Sequence, residues 1–214
     1  MLSRRSSTLL AVGTVAVVAG VSVALLAPSA HKPPSLPRTA PSVAPSVSAR
    51  AVPPTVAAAI PRSVPVEIKI PSIGVDAQVI PEGTDSAGAL ETPPLTEQNV
   101  TGWWDGGNTP GQDGPAVIVG HIDSAALGPM VFWNLHELVP GEAAEVTLAD
   151  GAQVWFTMVS SQQVSKTDFP TQAVYGPTPR PTLRLITCSG DFDPQTGHYD
   201  DNLIVYLTES TPSG

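Results

Sequence analysis

The chain has 214 residues, of which 10 are Lys or Arg and 19 are Asp or Glu, for a formal charge of −9. Residues 66–214 hold four of the cations against all nineteen acids, a net −15. That region has no basic face with which to displace counterions from phosphates, so no nucleic-acid partner is expected. Its roughly 150 residues suffice for one domain with one core, which argues against a second large domain.

Residues 1–7 form a short N-terminus carrying Arg4 and Arg5. Ser6 to Ala30 contains no charge, and Thr8–Leu26 is almost wholly apolar. Nineteen helical residues at ~1.5 Å each reach roughly 29 Å, close to the ~30 Å hydrocarbon core of a bilayer. Residues 8–27 therefore read as a single-pass transmembrane anchor. The two arginines put the N-terminus in the cytoplasm and the rest of the chain outside the cell membrane. A cleaved signal peptide is the alternative, but its best cleavage site, Ala27-Pro-Ser-Ala30, has proline where a small residue is needed. Residues 28–65 then hold ten of the 24 prolines. They read as a disordered, semi-rigid spacer.

From Val66 the pattern changes to short β-type runs separated by Gly, Pro and Asp turns. The predicted strands are Val66–Ile70, Ala77–Ile80, Ala116–Ile122, Glu145–Leu148, Gln153–Ser160, Thr182–Cys188 and Leu203–Leu207. Val131–Leu138 is the one convincing helical turn and is too short to be a major element. Seven or eight such strands predict a mainly-β closed or nearly closed barrel over residues 66–208, with a short tail at 209–214.

Cys188 is the only cysteine. In an exported chain it is either a small buried hydrophobe or a reactive thiol. It closes the run Thr182-Leu-Arg-Leu-Ile-Thr-Cys188, where Arg184, Ile186 and Cys188 share one face. A guanidinium on that face would favour the thiolate. Of the four histidines, His31 lies in the spacer, His136 in a short surface turn and His198 in the polar loop Asp193–Asn202. His121 ends the apolar run Ala116-Val-Ile-Val-Gly-His121, so it stands at a strand mouth as Cys188 does. A Cys188/His121 pair is the catalytic reading; a hydrogen-bonded histidine at the core edge is the plain one.

Ala116-Val-Ile-Val-Gly-His121-Ile-Asp-Ser and Thr182-Leu-Arg-Leu-Ile-Thr-Cys188-Ser-Gly, in this order, resemble the two signature strands of sortases. Those are membrane-anchored cysteine transpeptidases of Gram-positive bacteria. The likeness is greatest to the actinobacterial class E/F group. Supporting stretches include Ile70-Pro-Ser-Ile-Gly74-Val, Thr101-Gly-Trp-Trp104 and Gly197-His-Tyr199-Asp-Asp-Asn202-Leu-Ile-Val-Tyr206. The resemblance implies an eight-stranded sortase-type β-barrel with short helical turns. Cys188 would attack the threonine carbonyl of an LPXTG-like sorting signal to give a thioester. His121 would protonate the leaving amine and then deprotonate the incoming one, supplied by a peptidoglycan precursor or a pilin. Ile186 and Thr187, beside the nucleophile, would bind substrate. No cofactor and no metal is implied.

One departure bears on the mechanism. Sortases commonly carry an essential arginine near the start of the last strand, where this chain reads Tyr199-Asp200-Asp201-Asn202, with Asp200 at the expected position. No arginine follows Arg184. Arg184 is therefore the candidate for the positive charge at the oxyanion. Its plain alternative is a strand residue paired with a carboxylate, in a barrel of weak activity or none. Asp123 could orient His121 or simply serve the turn. The acidic loop from Asp191 to Asp201 lacks EF-hand spacing and reads as solvated. Two rival functions remain: a sortase-like surface domain that binds peptide without turnover, and another exported cysteine transpeptidase acting on peptidoglycan.

Overall fold

The computed structural model describes residues 60–212. The anchor read over 8–27, and the spacer as far as residue 59, lie outside the described residues. Among those described, no helix is long and apolar enough to cross a membrane.

Strands β1 (Pro65–Ile70), β2 (Val75–Glu82), β3 (Val100–Trp104), β4 (Gly114–Val119), β7 (Ala143–Leu148), β8 (Gln153–Ser165), β9 (Pro181–Asp193) and β10 (His198–Ser210) form the barrel. It closes in the order β1-β2-β3-β4-β9-β10-β8-β7. β5 (Asp123–Ser124) and β6 (Gly128–Pro129) make a small ribbon beside it, and α1 (Thr171–Tyr175) is a single short helix. The eight-stranded barrel agrees with the sequence expectation.

Inward-facing residues alternate along the strands. Ile68, Ile70, Ile118, Val146, Phe156, Leu183, Leu185, Leu203 and Val205 fill the interior. β4 and β9 pair in parallel and are buried on their outer face as well. There Val117, Val119, Ile186 and Ile204 pack under Val174 of α1. Burial on both faces is why Ala116–Val119 reads as an unbroken apolar run instead of alternating. β2 and β3 are also parallel, and parallel neighbours cannot be joined by a tight turn. Residues 83–99 supply the long connection, and they matter for the site.

Several local expectations are corrected. β3 is missing from the predicted strands because Gly102 and the adjacent Trp103 and Trp104 break any alternation. The helical turn at Val131–Leu138 shrinks to a 3-10 turn at Leu135–Glu137. His136 is not a surface residue: its side chain is 17% exposed, and its Nδ1 meets the Trp133 carbonyl at 3.1 Å. The loop expected between Cys188 and Leu203 is a continuation of β9 and β10 around a tight turn. Asp193 accepts hydrogen bonds there from the Gln195 N–H and the Thr196 hydroxyl. β10 runs to Ser210, two residues beyond the expected boundary.

The β9/β10 hairpin contains a bulge. Ser189 pairs with Asp201 and Phe192 with Tyr199, so Gly190 and Asp191 face the single residue Asp200. Gly190 has φ +84°, and a Cβ there would stand 3.0 Å from the Asp201 side chain. Gly190→Ala is expected to cost about 1–2 kcal/mol, from the left-handed backbone, with crowding of Asp201 in addition. Chemical denaturation of the variant beside the parent measures it.

The chain enters the barrel at its far end. The Ile60 N–H donates to the Gly111 carbonyl at 3.2 Å, and its side chain packs onto the core beside Val154. Arg62 stacks over Trp103 and donates to the Asp105 and Gly107 carbonyls, both at 2.7 Å.

Candidate active site

The β4/β9 register brings His121 and Cys188 together. The last parallel pair is Val119 with Ile186, and the Gly120 N–H extends the ladder by donating to the Ile186 carbonyl at 3.1 Å. His121 and Cys188 are each two residues further on, the next position on the same face of adjacent strands. Gly120 is required for this approach, because a Cβ there would come within 2.6 Å of the Phe132 ring and 2.8 Å of Val131. On the other side of β9, Cys188 pairs directly with Asn202 of β10, and Asn202 pairs with Val164 of β8. Directly paired residues share a face. One row across four strands thus reads His121, Cys188, Asn202, Val164.

His121, Cys188 and Asn202 of this row open into a cleft of about 1080 Å³. Its floor includes Val119, His121, Ile186, Thr187, Cys188 and Asn202, so both predicted substrate-binding residues line it. One wall comes from the 83–99 connection through Leu90, Thr92 and Leu95. Another comes from Lys166, Phe169, Thr171 and Tyr175, the segment leading into α1. Trp104 packs edge-on against Tyr175 beneath that wall, with ring centroids 5.1 Å apart. Thr187 is 3% exposed, and its hydroxyl has no hydrogen-bond partner among the described residues.

Polar contacts define the chemistry available. The His121 Nε2 lies 2.7 Å from the Pro93 carbonyl. A carbonyl oxygen only accepts, so Nε2 carries the hydrogen and Nδ1 is the nitrogen left to take or give a proton. Asp123 is occupied elsewhere: its Oδ2 accepts from the Tyr199 hydroxyl at 2.8 Å. Burial first, and then the Asp123 carboxylate, push the Tyr199 phenol well above its ordinary range. It therefore remains a neutral donor at any physiological pH. The Lys166 Nζ lies 3.5 Å from the Cys188 Sγ, within hydrogen-bond reach of the sulfur.

Arg184 does share a strand face with Ile186, as read from the sequence, but the structure does not bring it into the cleft. It lies four residues from Cys188, roughly 13 Å along an extended strand. Its guanidinium turns under α1, with Nε 3.4 Å from the Ala173 carbonyl and NH1 3.2 Å from the Leu183 carbonyl. It stacks 4.8 Å over the ring of Tyr206, its cross-strand partner. Burial draws its pKa below the ordinary value, yet a guanidinium stays cationic in a protein. Arg184 therefore holds α1 against the barrel. Asp200, at the position where the sequence comparison expected arginine, is the exposed single residue opposite the bulge. Asn202 is the residue that faces Cys188.

Lys166, Asn202, Tyr199 and the Pro93 carbonyl were not singled out from the sequence. Lys166 had a usable signal, being one of four cations in residues 66–214. The others depend on strand register and on the path of a connection, which local pattern does not reveal. Among the described residues, no cluster of His, Cys, Asp and Glu could hold a metal ion.

Comparison with known proteins agrees with this fold. The sortase-domain family model matches residues 68–210. Among solved structures, a lid mutant of sortase A from Corynebacterium diphtheriae is 23% identical, covering 72% of this chain and 74% of its own, with TM-score 0.54. Sortase C-1 from Actinomyces oris is likewise 23% identical, over 69% of this chain and 74% of its own, with TM-score 0.52. A sortase D5 transpeptidase from Clostridium perfringens is 19% identical over 70% of this chain and 79% of its own, with TM-score 0.51. No curated protein matches the sequence.

Proposed function

Because the chain belongs to the sortase family of cysteine transpeptidases, we propose that it cleaves an LPXTG-like sorting signal after threonine and passes the acyl group to a cell-wall amine. The observation that carries this reading is the parallel β4/β9 register, which sets His121 and Cys188 side by side at one mouth. The Cys188 thiolate attacks the threonyl carbonyl and the S–C bond forms. His121 donates its proton to the departing amine as the C–N bond breaks, leaving a thioester. The incoming amine then loses a proton to His121 and displaces the sulfur. The proposal extends to the anchor at residues 8–27, with the barrel outside the cell membrane. It also includes a pilin or peptidoglycan precursor as the acceptor, and placement among the class E/F sortases.

The intact mass of the full chain, recorded after mixing with an LPXTG-type peptide and no amine acceptor, tests this. The expected result is an adduct equal to the peptide truncated after threonine and released by hydroxylamine, as a thioester is. No adduct across a panel of sorting peptides, with the thiol still open to alkylation, would reject it. The position of Arg184 under α1 favours the second reading, a peptide-binding barrel without turnover. Retained peptide with no adduct is the signature of that reading.

A further inference from the structure

The domain's charge works against its proposed nucleophile. Residues 66–214 are net −15, and a negative surround raises the cost of ionising a thiol. The guanidinium on the same strand, Arg184, is committed to the Ala173 and Leu183 carbonyls and to the Tyr206 ring. The residue facing Cys188 across β10 is a neutral amide, Asn202. One cation does reach the sulfur: Lys166 stands just past the last residue of β8, with its Nζ 3.5 Å from Sγ.

The register explains how it gets there. Val164 lies in the same row as Cys188 and Asn202, and Lys166 is two residues on, so by strand periodicity it falls on the same outer face. From that position the lysine ammonium reaches the sulfur on β9, two strands away. The Ser165 hydroxyl accepts from the Thr167 N–H and caps the 3-10 turn Lys166–Asp168, which fixes where β8 ends and where the lysine starts.

We propose that Lys166 is a catalytic residue that holds Cys188 as the thiolate, filling the role of the cation that neither Arg184 nor Asp200 can fill. This rests on the transpeptidase reading above and deepens it. The ammonium stabilises S⁻ before attack, while His121 alone gives and takes the proton of the amines. Lys166 is solvent-exposed, so its effect weakens as salt is raised.

The test does not need the sorting peptide. The rate at which iodoacetamide alkylates Cys188 is measured against pH on the full chain, for the parent, Lys166→Met, Lys166→Arg and Lys69→Met. Lys69 is the control for loss of a positive charge from a distant strand. Lys166→Met is expected to be alkylated about tenfold more slowly than the parent at neutral pH. Lys166→Arg should lie near the parent, and high salt should narrow the gap. An unchanged Lys166→Met profile, or an equal shift in Lys69→Met, would overturn the proposal. So would a peptide adduct that resists hydroxylamine and maps to Lys166, since the lysine would then be an acyl acceptor. A normal shift with no peptide ever acylating the chain would instead sink the sorting reading and leave the role of the lysine at the thiol intact.

Discussion

Cys188→Ala is expected to abolish acyl-enzyme formation and to lower transpeptidation by a factor on the order of 10⁴ or more, because no other thiol exists in the chain to take its place. Cys188 is only half-buried and contributes to neither apolar cluster. Its removal should therefore leave the barrel standing. The check is a pair of measurements on one preparation: turnover of a quenched sorting peptide, and the denaturation midpoint. Loss of turnover with an unchanged midpoint is the expected result. Residual turnover in Cys188→Ala would mean that the reaction does not pass through a thioester at this position.

The second large effect is expected at His121. His121→Gln can still donate an N–H toward the Pro93 carbonyl, so the connection at 83–99 keeps its contact, but an amide cannot carry the proton of a leaving amine. The rate is expected to fall about 10²–10⁴-fold, the usual size of a general acid–base contribution. Alkylation of Cys188 by a small reagent should change far less, because that step needs the thiolate and no proton donor. Equal losses in both assays would make His121 a residue that shapes the cleft and not one that moves protons. The proton-accepting nitrogen is Nδ1, since Nε2 is held by Pro93.

Much of this architecture was legible in the sequence, for identifiable reasons. The run ending at His121 is buried on two faces, so it showed as a continuous apolar segment ending at a single polar residue, whereas the run ending at Cys188 mixes Thr182, Arg184 and Thr187 with its apolar residues. That edge marked the mouth of the barrel. β3 was illegible because Gly102 and two tryptophans carry no period. Gly102 is dictated by a neighbour distant in sequence, since a Cβ there would meet the Glu82 side chain at 2.5 Å. Arg184 shows where face-sharing stops being informative. Period 2 placed it correctly on the face of Cys188, but α1 covers that part of the face, and α1 is too short to announce itself. The contact between Lys166 and Cys188 needs the pairing of β8, β10 and β9 together. Nothing within 22 residues of chain could have suggested it.

Ile60 meets Gly111 and Val154 at the N-terminal ends of β4 and β8, whereas His121 and Lys166 lie just past their C-terminal ends. β10 likewise starts beside the cleft at His198 and finishes at Ser210, away from it. The backbone thus enters and leaves the barrel at one pole, and the chemistry occupies the other. A label, a fused domain or a solid support joined at either end of residues 60–210 leaves the cleft unobstructed. Two barrels fused end to end would keep both mouths accessible, because neither junction lies near a reacting atom.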